Sequence, residues 1–468
     1  MKAPNSSKDI TKPWLEDVLA HYLSKKYPGK NTAILSFSVV GGTSPGDGFN
    51  SELVLLDVEV SVNEGETSRN TIILHLAAKF SSLNLMVREM NRQMKSNLRE
   101  YLVYAEIIKE LNEFQAAKAP EEPCIPIPEL IYGKCTKKEN ILLMENIKIT
   151  GYEAYDKYKG LDFDHLKIII EEIARIHVLS HVYHQSSSFQ EKYTCFPTTS
   201  QHLMTFKPIM SAMLETAIDF LRSQSDKEDV TERVKACKQS LIEKYTCALP
   251  EEDTIKCLIH GDMWINNIMY KYKDPQLNGS HQEIEGLKLI DWGNASWGSP
   301  FFDLQYLLHT STTHTIRTTH LEELLHHYHS TFTRLAAKLG SPAASWNFRQ
   351  FMIDWEKTCI LGLLLGCSLT LGTLNTSSVV NKEQGPSVLD KSFLLPVRIV
   401  ADGMKLGIAK FLASLFKKPN GESLTKKAFK LMYKPVLKEL LSGKNEVMNN
   451  RVLDLFSEAD KKGIFIKD

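Results

Sequence analysis

Hydrophobic positions change period several times along the chain. In residues 1–30, Leu15, Val18, Leu19 and Tyr22 share one helical face, and Pro28-Gly29 ends the pattern, which predicts one amphipathic helix. Three strand-like runs follow at 34–40, 53–60 and 71–80. Small and polar residues at 41–51 separate the first two, and Asn63-Glu64-Gly65-Glu66 separates the second pair. A helical period returns over 86–114, then a proline-rich stretch at 120–128 precedes a hairpin with strands at 129–132 and 141–144. From 163 to 179, Leu166, Ile169, Ile170, Ile173, Ile176 and His177 fall on one stripe, and Met210, Met213, Leu214, Ala217 and Leu221 form another. The chain from 321 onward is predicted mostly helical, with a polar loop at 375–384. The expected fold class is therefore α+β, with a small antiparallel-sheet lobe at 1–148 and a mainly helical lobe at 149–468.

Between these helices lies a stretch of different character, 258–270. Two apolar runs flank a polar turn, His260-Gly261-Asp262, and Asn267 stands five residues after the aspartate. A second apolar run ends in Asp291-Trp292-Gly293. Phosphoryl transfer needs a carboxylate to accept a hydroxyl proton, and oxygen ligands close by for the metal that bridges nucleotide phosphates. Asp262, with His260 opening its motif, makes the catalytic set, and Asn267 with Asp291 the metal set. His-x-Asp alone is weak, but with x4-Asn and a strand-terminal Asp-Trp-Gly it is specific.

The small lobe supplies matching parts. Gly46-x-Gly48-x-x-Ser51 offers backbone N–H groups and a hydroxyl to phosphates, although no Walker-type lysine follows it. The third strand ends in Ala77-Ala78-Lys79-Phe80, and Lys79 can reach phosphates if a helix carboxylate holds it; Glu100 and Glu106 are the candidates. Met144-Glu145-Asn146-Ile147 reads as the hinge near 144–148, where Glu145 and Ile147 would present backbone groups to adenine. The remaining singled-out residues have simpler readings. His177 is expected to be a satisfied core histidine, and Asp303 a first-turn acid of a helix over 304–309.

Composition narrows the class. Lys plus Arg and Asp plus Glu are 56 each, so no global field recruits nucleic acid or an acidic membrane. The lysine-rich stretch 417–444 is interleaved with Leu, Phe and Met like a solvated helix face. Eight cysteines without a C-x-x-C pair suggest reduced thiols. Residues 1–14 lack the apolar core of a signal peptide, and the apolar run 359–371 is too short to span a bilayer. A cytoplasmic monomer with no nucleic-acid or membrane partner is expected.

These motifs resemble those of the ecdysteroid kinase-like family, relatives of choline kinases and aminoglycoside phosphotransferases within the protein-kinase-like fold. The resemblance rests on Gly46-Asp47-Gly48-Phe49-x-Ser51, Glu100-x-x-Val103-Tyr104, Leu142-Leu143-Met144-Glu145-Asn146-Ile147, His260-Gly261-Asp262-x-Trp264-x-Asn266-Asn267 and Ile290-Asp291-Trp292, and spans about residues 30–440. It implies ATP and Mg2+ as cofactors, Asp262 as general base, Asn267 and Asp291 as metal ligands, and Lys79 with Glu100 as the phosphate-anchoring pair. It also implies a small-molecule hydroxyl substrate, in the type activity a steroid such as an ecdysteroid; foreign alcohols are further candidates. A choline/ethanolamine-type kinase and an inactive kinase-fold binder are the alternatives. Gly293 and Gly48 depart from the family pattern, where glutamine and asparagine are more usual. Met204, Met210, Met213, Phe220, Leu221, Phe351, Met352 and Leu361 favour an apolar acceptor over choline, which calls for an aromatic cage.

Overall fold

The structure, a computed structural model, describes residues 3–4, 6–42, 51–64, 68–82, 85–136, 139–185, 188–249, 255–273, 283–375, 426, 430 and 433–466. Its first lobe is a five-stranded antiparallel sheet in the order β1-β2-β3-β5-β4, made of β1 (Asn31–Gly42), β2 (Ser51–Glu64), β3 (Ser68–Ser81), β4 (Leu130–Cys135) and β5 (Asn140–Glu145). Along β2 the alternation is strict: Val54, Leu56, Val58, Val60 and Val62 are all buried, as a period of two demands of a strand with one covered face. Helix α1 (Lys12–Lys26) provides the cover. Thr11 caps it by accepting from Trp14 N, and Trp14, Leu15, Leu19 and Leu23 pack on the sheet. Each fully buried leucine or valine there stabilises by about 1.5–3 kcal/mol.

The helix expected over 86–114 is broken into pieces. After α2 (Leu85–Met94), Lys95 adopts φ 58°, and the chain restarts as α3 (Ser96–Leu102). A π-turn at Val103–Ile107 then leads into α4 (Ile108–Lys118). The restart places Arg99 and Glu100 against the other lobe, at Gly293 and beside Asp291. A non-glycine residue in the left-handed region costs about 1–2 kcal/mol, so contacts made by α3 must outweigh it.

The chain leaves the first sheet at Glu145 and joins a second one through β6 (Tyr152–Ala154), which pairs with β8 (Ile268–Tyr272), itself paired with β9 (Ile284–Leu289). A third, two-stranded sheet joins β7 (Cys257–Ile259) to β10 (Ser296–Gly298). Around these pack α5 (Phe163–Tyr183), α6 (Phe189–Lys192), α7 (Thr199–Arg222), α8 (Glu228–Thr246), α9 (Phe301–Thr310), α10 (His314–Lys338), α11 (Phe348–Lys357) and α12 (Cys359–Thr373), with two further helices at Lys434–Ser442 and Glu446–Lys461. The apolar stripe of α5 is entirely buried, as is most of α12. A helix apolar all round belongs inside, and Gly362 lets α12 approach α9: a Cβ there would lie 2.4 Å from His309 Nδ1. No helix among the described residues is long and apolar enough to cross a membrane. The fold is thus α+β, two lobes of the kinase-like kind, and the polar loop expected at 375–384 lies outside the described residues beyond Asn375.

Candidate active site

The loop between β7 and β8 is held from behind. His260 N and Gly261 N donate to the two carboxylate oxygens of Asp303, at 2.7 and 3.0 Å. Asp303 does sit in the first turn of α9, yet its fully buried carboxylate serves this loop rather than its own helix. His177 backs it up: its Nε2 lies 3.3 Å from Asp303, and its Nδ1 lies 2.8 Å from the Tyr328 hydroxyl. The imidazole is a satisfied core group that braces the brace. Gly261 has φ 78°, and a Cβ would fall 2.1 Å from Asn294 O, so the turn admits only glycine.

His260 itself points inward. Its Nε2 donates to Ile290 O at 3.0 Å and its Nδ1 accepts from Asp262 N at 3.3 Å, with burial pushing its pKa down, so the ring is neutral. It ties the loop to the end of β9 and presents no nitrogen to the cleft. Asp262 is the group that faces out. Its Oδ1 accepts from Tyr306 OH at 2.6 Å and its Oδ2 from Asn267 Nδ2 at 3.1 Å. Burial, with the charge of Asp291 next, raises its pKa to about 7 against the lowering effect of those two bonds.

Pairing of β8 with β9 sets Ile268 opposite Leu289, and Ile290 N donates to Asn267 O at 3.1 Å. Asn267 and Asp291 therefore sit side by side although far apart in sequence. Asp291 has φ 65°, one of two non-glycine residues with positive φ among those described, a strained backbone of the kind that functional sites retain. Its Oδ1 accepts from Lys79 Nζ at 3.1 Å, and the same ammonium donates to Glu100 Oε1 at 2.6 Å. Burial alone would favour the neutral amine, but Asp291 and Glu100 outweigh it and hold Lys79 charged. The carboxylates differ: burial pushes Glu100 up, whereas at Asp291 the charge of Lys79 overcomes burial and pulls it down. Glu106 is exposed on the π-turn, which leaves Glu100 as the partner.

At the hinge, Glu145 accepts from Glu129 N at 3.0 Å and pairs with Lys288, so its side chain is used locally. Asn146 N donates to His75 O, and Ile147 is buried, with its carbonyl accepting from Thr150 N and Tyr152 N. Ser51 opens β2 opposite Ser81, while Gly46 and Gly48 lie outside the described residues.

Among the described residues no cluster of three His, Cys, Asp or Glu side chains could hold a metal. The donor set present suits a different arrangement. Asn267 directs Nδ2 at Asp262, which leaves Oδ1 as its ligand atom, and Asp291 commits Oδ1 to Lys79, which leaves Oδ2. Two hard oxygen donors fit a magnesium ion that takes its other ligands from phosphate and water.

Sequence reasoning missed two residues that shape this site, Tyr306 and Arg99, and gave Asp303 only the role of a first-turn acid. Arg99 donates to Gly293 O through Nη2 at 2.8 Å and Nε at 3.1 Å, clamping the loop after Asp291 to α3. Its place beside Glu100 was the available signal.

The model of the ecdysteroid kinase-like family matches residues 45–341, which include every site residue named above. The chain belongs to that family. No curated protein matches it. Among solved structures it is similar to the GDP complex of a mutant aminoglycoside 2'-phosphotransferase-IIIa (13% identity, 85% of this chain and 97% of that one, TM-score 0.34). It is also similar to a choline/ethanolamine kinase family protein from Mesorhizobium loti (11%, 90% and 98%, TM-score 0.32). A glucosamine kinase gives 12%, 76% and 99%, with TM-score 0.30.

Proposed function

We propose that this ecdysteroid kinase-like protein is an ATP-dependent kinase of a small apolar alcohol. The observation that carries the reading is the convergence of Asp262, Asn267, Asp291, Lys79 and Glu100, drawn from both lobes, into one oxygen-rich cleft. Asp262 accepts the proton of the acceptor hydroxyl as its oxygen attacks the γ-phosphorus and the bond to the β-γ bridging oxygen breaks, leaving ADP and a phosphate monoester. Tyr306 and Asn267 aim that carboxylate, and Asp303 fixes the loop that bears it. Magnesium on Asn267 and Asp291 would neutralise charge on the phosphates. Lys79, held by Glu100, keeps the nucleotide tail in line. His260 is a positioning residue.

The family's name supports a steroid-like acceptor. The methionine and phenylalanine stripes do not carry that point, because Met210, Met213, Phe220, Leu221, Phe351 and Leu361 are core residues; Met204 is exposed. The test offers ecdysteroids, other hydrophobic alcohols, choline, ethanolamine and kanamycin with Mg-ATP, and scores products by the mass of one added phosphoryl group. An apolar alcohol should be consumed fastest. Faster turnover of choline or kanamycin would overturn the acceptor class. ATP binding without any product across the panel would favour a kinase-fold binder.

A further inference from the structure

A cavity of about 560 Å³, lined by none of Asp262, Asn267, Asp291 and Lys79, lies between α2, the start of α3, the segment Thr194–Pro197 and the first turns of α7. Its apolar wall is Met90, Met94, Met204 and Phe206, adaptable side chains that fit an irregular hydrocarbon. Its polar wall is cationic. Lys95 stands there, and Arg99, only 3% exposed, forms part of the lining. No acidic side chain lines the cavity among the described residues.

Arg99 is unusual in its surroundings. Its N–H groups reach the carbonyls of Gly293, Met94 and Cys195 and the Ser96 hydroxyl, all neutral acceptors. An ionised group out of water is normally matched by an opposite charge, and among the described residues Arg99 has none at ion-pair distance. The third cavity-lining base does not supply positive charge: burial first, then the charge of Arg99, lowers the His202 pKa to about 3. The cavity therefore carries net positive charge beside a mainly apolar wall, in the size range of small-molecule sites.

We propose that this cavity is a second binding site, separate from the nucleotide cleft, for an amphipathic anion: a hydrocarbon body with one carboxylate, sulfate or phosphate head. The head would sit against Lys95 and the Arg99 charge, and the tail against Met90, Met94, Met204 and Phe206. Because Arg99 also holds Gly293 O, an occupant would touch the residue that fixes the loop following Asp291.

The experiment is calorimetry on the full chain with decanoate, decyl phosphate, decanol and decyltrimethylammonium, each below its micelle concentration, with and without saturating Mg-ADP. The two anions should bind and the cation should not. Decyl phosphate well ahead of decanoate would assign the head as phosphate, the chemistry of a phosphorylated alcohol; the reverse would assign a carboxylate. Lys95→Asn keeps a residue that tolerates the left-handed conformation while removing the charge, and should weaken anion binding roughly tenfold. Met204→Trp, at an exposed position, should abolish it by filling the space. Equal binding of decanol or the ammonium, displacement by Mg-ADP, or affinity unchanged in both variants would each overturn the site. Binding is read without turnover, so this result stands apart from that of the kinase assay.

Discussion

At the scale of single residues, two aspartates near one loop, Asp262 at the cleft and Asp303 fully buried behind it, should behave in opposite ways when made neutral. Asp262 faces the cleft and is oriented by Tyr306 and Asn267. Asp262→Asn is expected to cut turnover by about 10²- to 10⁴-fold with the melting temperature nearly unchanged. Asp303 instead satisfies two backbone N–H groups and faces His177. Asn keeps one acceptor oxygen, so one of those donors loses its partner, at a cost of about 1–3 kcal/mol measured by urea unfolding. A stable, inactive Asp303→Asn would show that it acts in the chemistry rather than as a brace. This contrast marks what could be seen in sequence. Asp262, Asn267, Asp291 and Lys79 are recognisable because reaction chemistry demands their types at short spacing or at strand ends. Asp303, Tyr306 and Arg99 act through partners far along the chain, and only the fold brings the backbone amides of His260 and Gly261, the Asp262 carboxylate and the Gly293 carbonyl to them.

At the scale of elements, periodicity located β2 and α1 because each has one clean buried face, and α5 through its apolar stripe, although residues 174–181 of that helix are buried all round. It did not reveal the break at Lys95 or the π-turn at Val103–Ile107, since both keep enough helical period to look continuous. Helix α12 shows a limit of a different kind. Its apolar residues run all round, so the pattern announces burial without a partner; the glycines carry that information. Gly362 faces His309 and Gln305 of α9, whereas Gly372 has nothing within 4 Å of an added Cβ. Gly362→Ala should therefore destabilise by about 1–3 kcal/mol. Gly372→Ala should be neutral or stabilise by up to about 1 kcal/mol, because alanine loses less backbone freedom on helix formation. Equal effects in thermal unfolding would mean that the α9–α12 approach does not depend on the missing side chain.

At the scale of the whole molecule, charged contacts tie distant segments together. Glu122, ahead of β4, accepts from Arg334 at 2.7 Å and Lys338 at 2.6 Å on α10. Burial would raise its pKa, but those partners pull it down to about 2. A carboxyl depressed below its unfolded value of about 4.3 stabilises the fold above that pH and loses the contribution as pH falls toward 2. Glu122→Gln should thus lower the melting temperature at neutral pH and flatten its decline between pH 4.5 and 2. Parallel acid limbs for the two proteins would show the bridge to be too solvated to matter.

The two lobes meet at Lys79, Glu100 and Asp291, so nucleotide binding should be visible as stability of the entire chain. A ligand at a hundred times its dissociation constant adds about 2.7 kcal/mol if only the folded state binds it. Asp291 is the informative position, because it contacts Lys79 from across the cleft and offers its second oxygen to a metal. Alanine would confound the test, since the backbone at φ 65° disfavours it; asparagine tolerates that conformation and removes only the charge. Wild type should gain melting temperature with Mg-ATP and lose most of that gain when EDTA removes the metal. Asp291→Asn should melt near wild type when free, because Lys79 keeps Glu100, yet gain little from Mg-ATP. An EDTA-indifferent gain in wild type would remove magnesium from the site. A full gain in Asp291→Asn would remove Asp291 from the metal's ligands and leave it as the residue that orients Lys79.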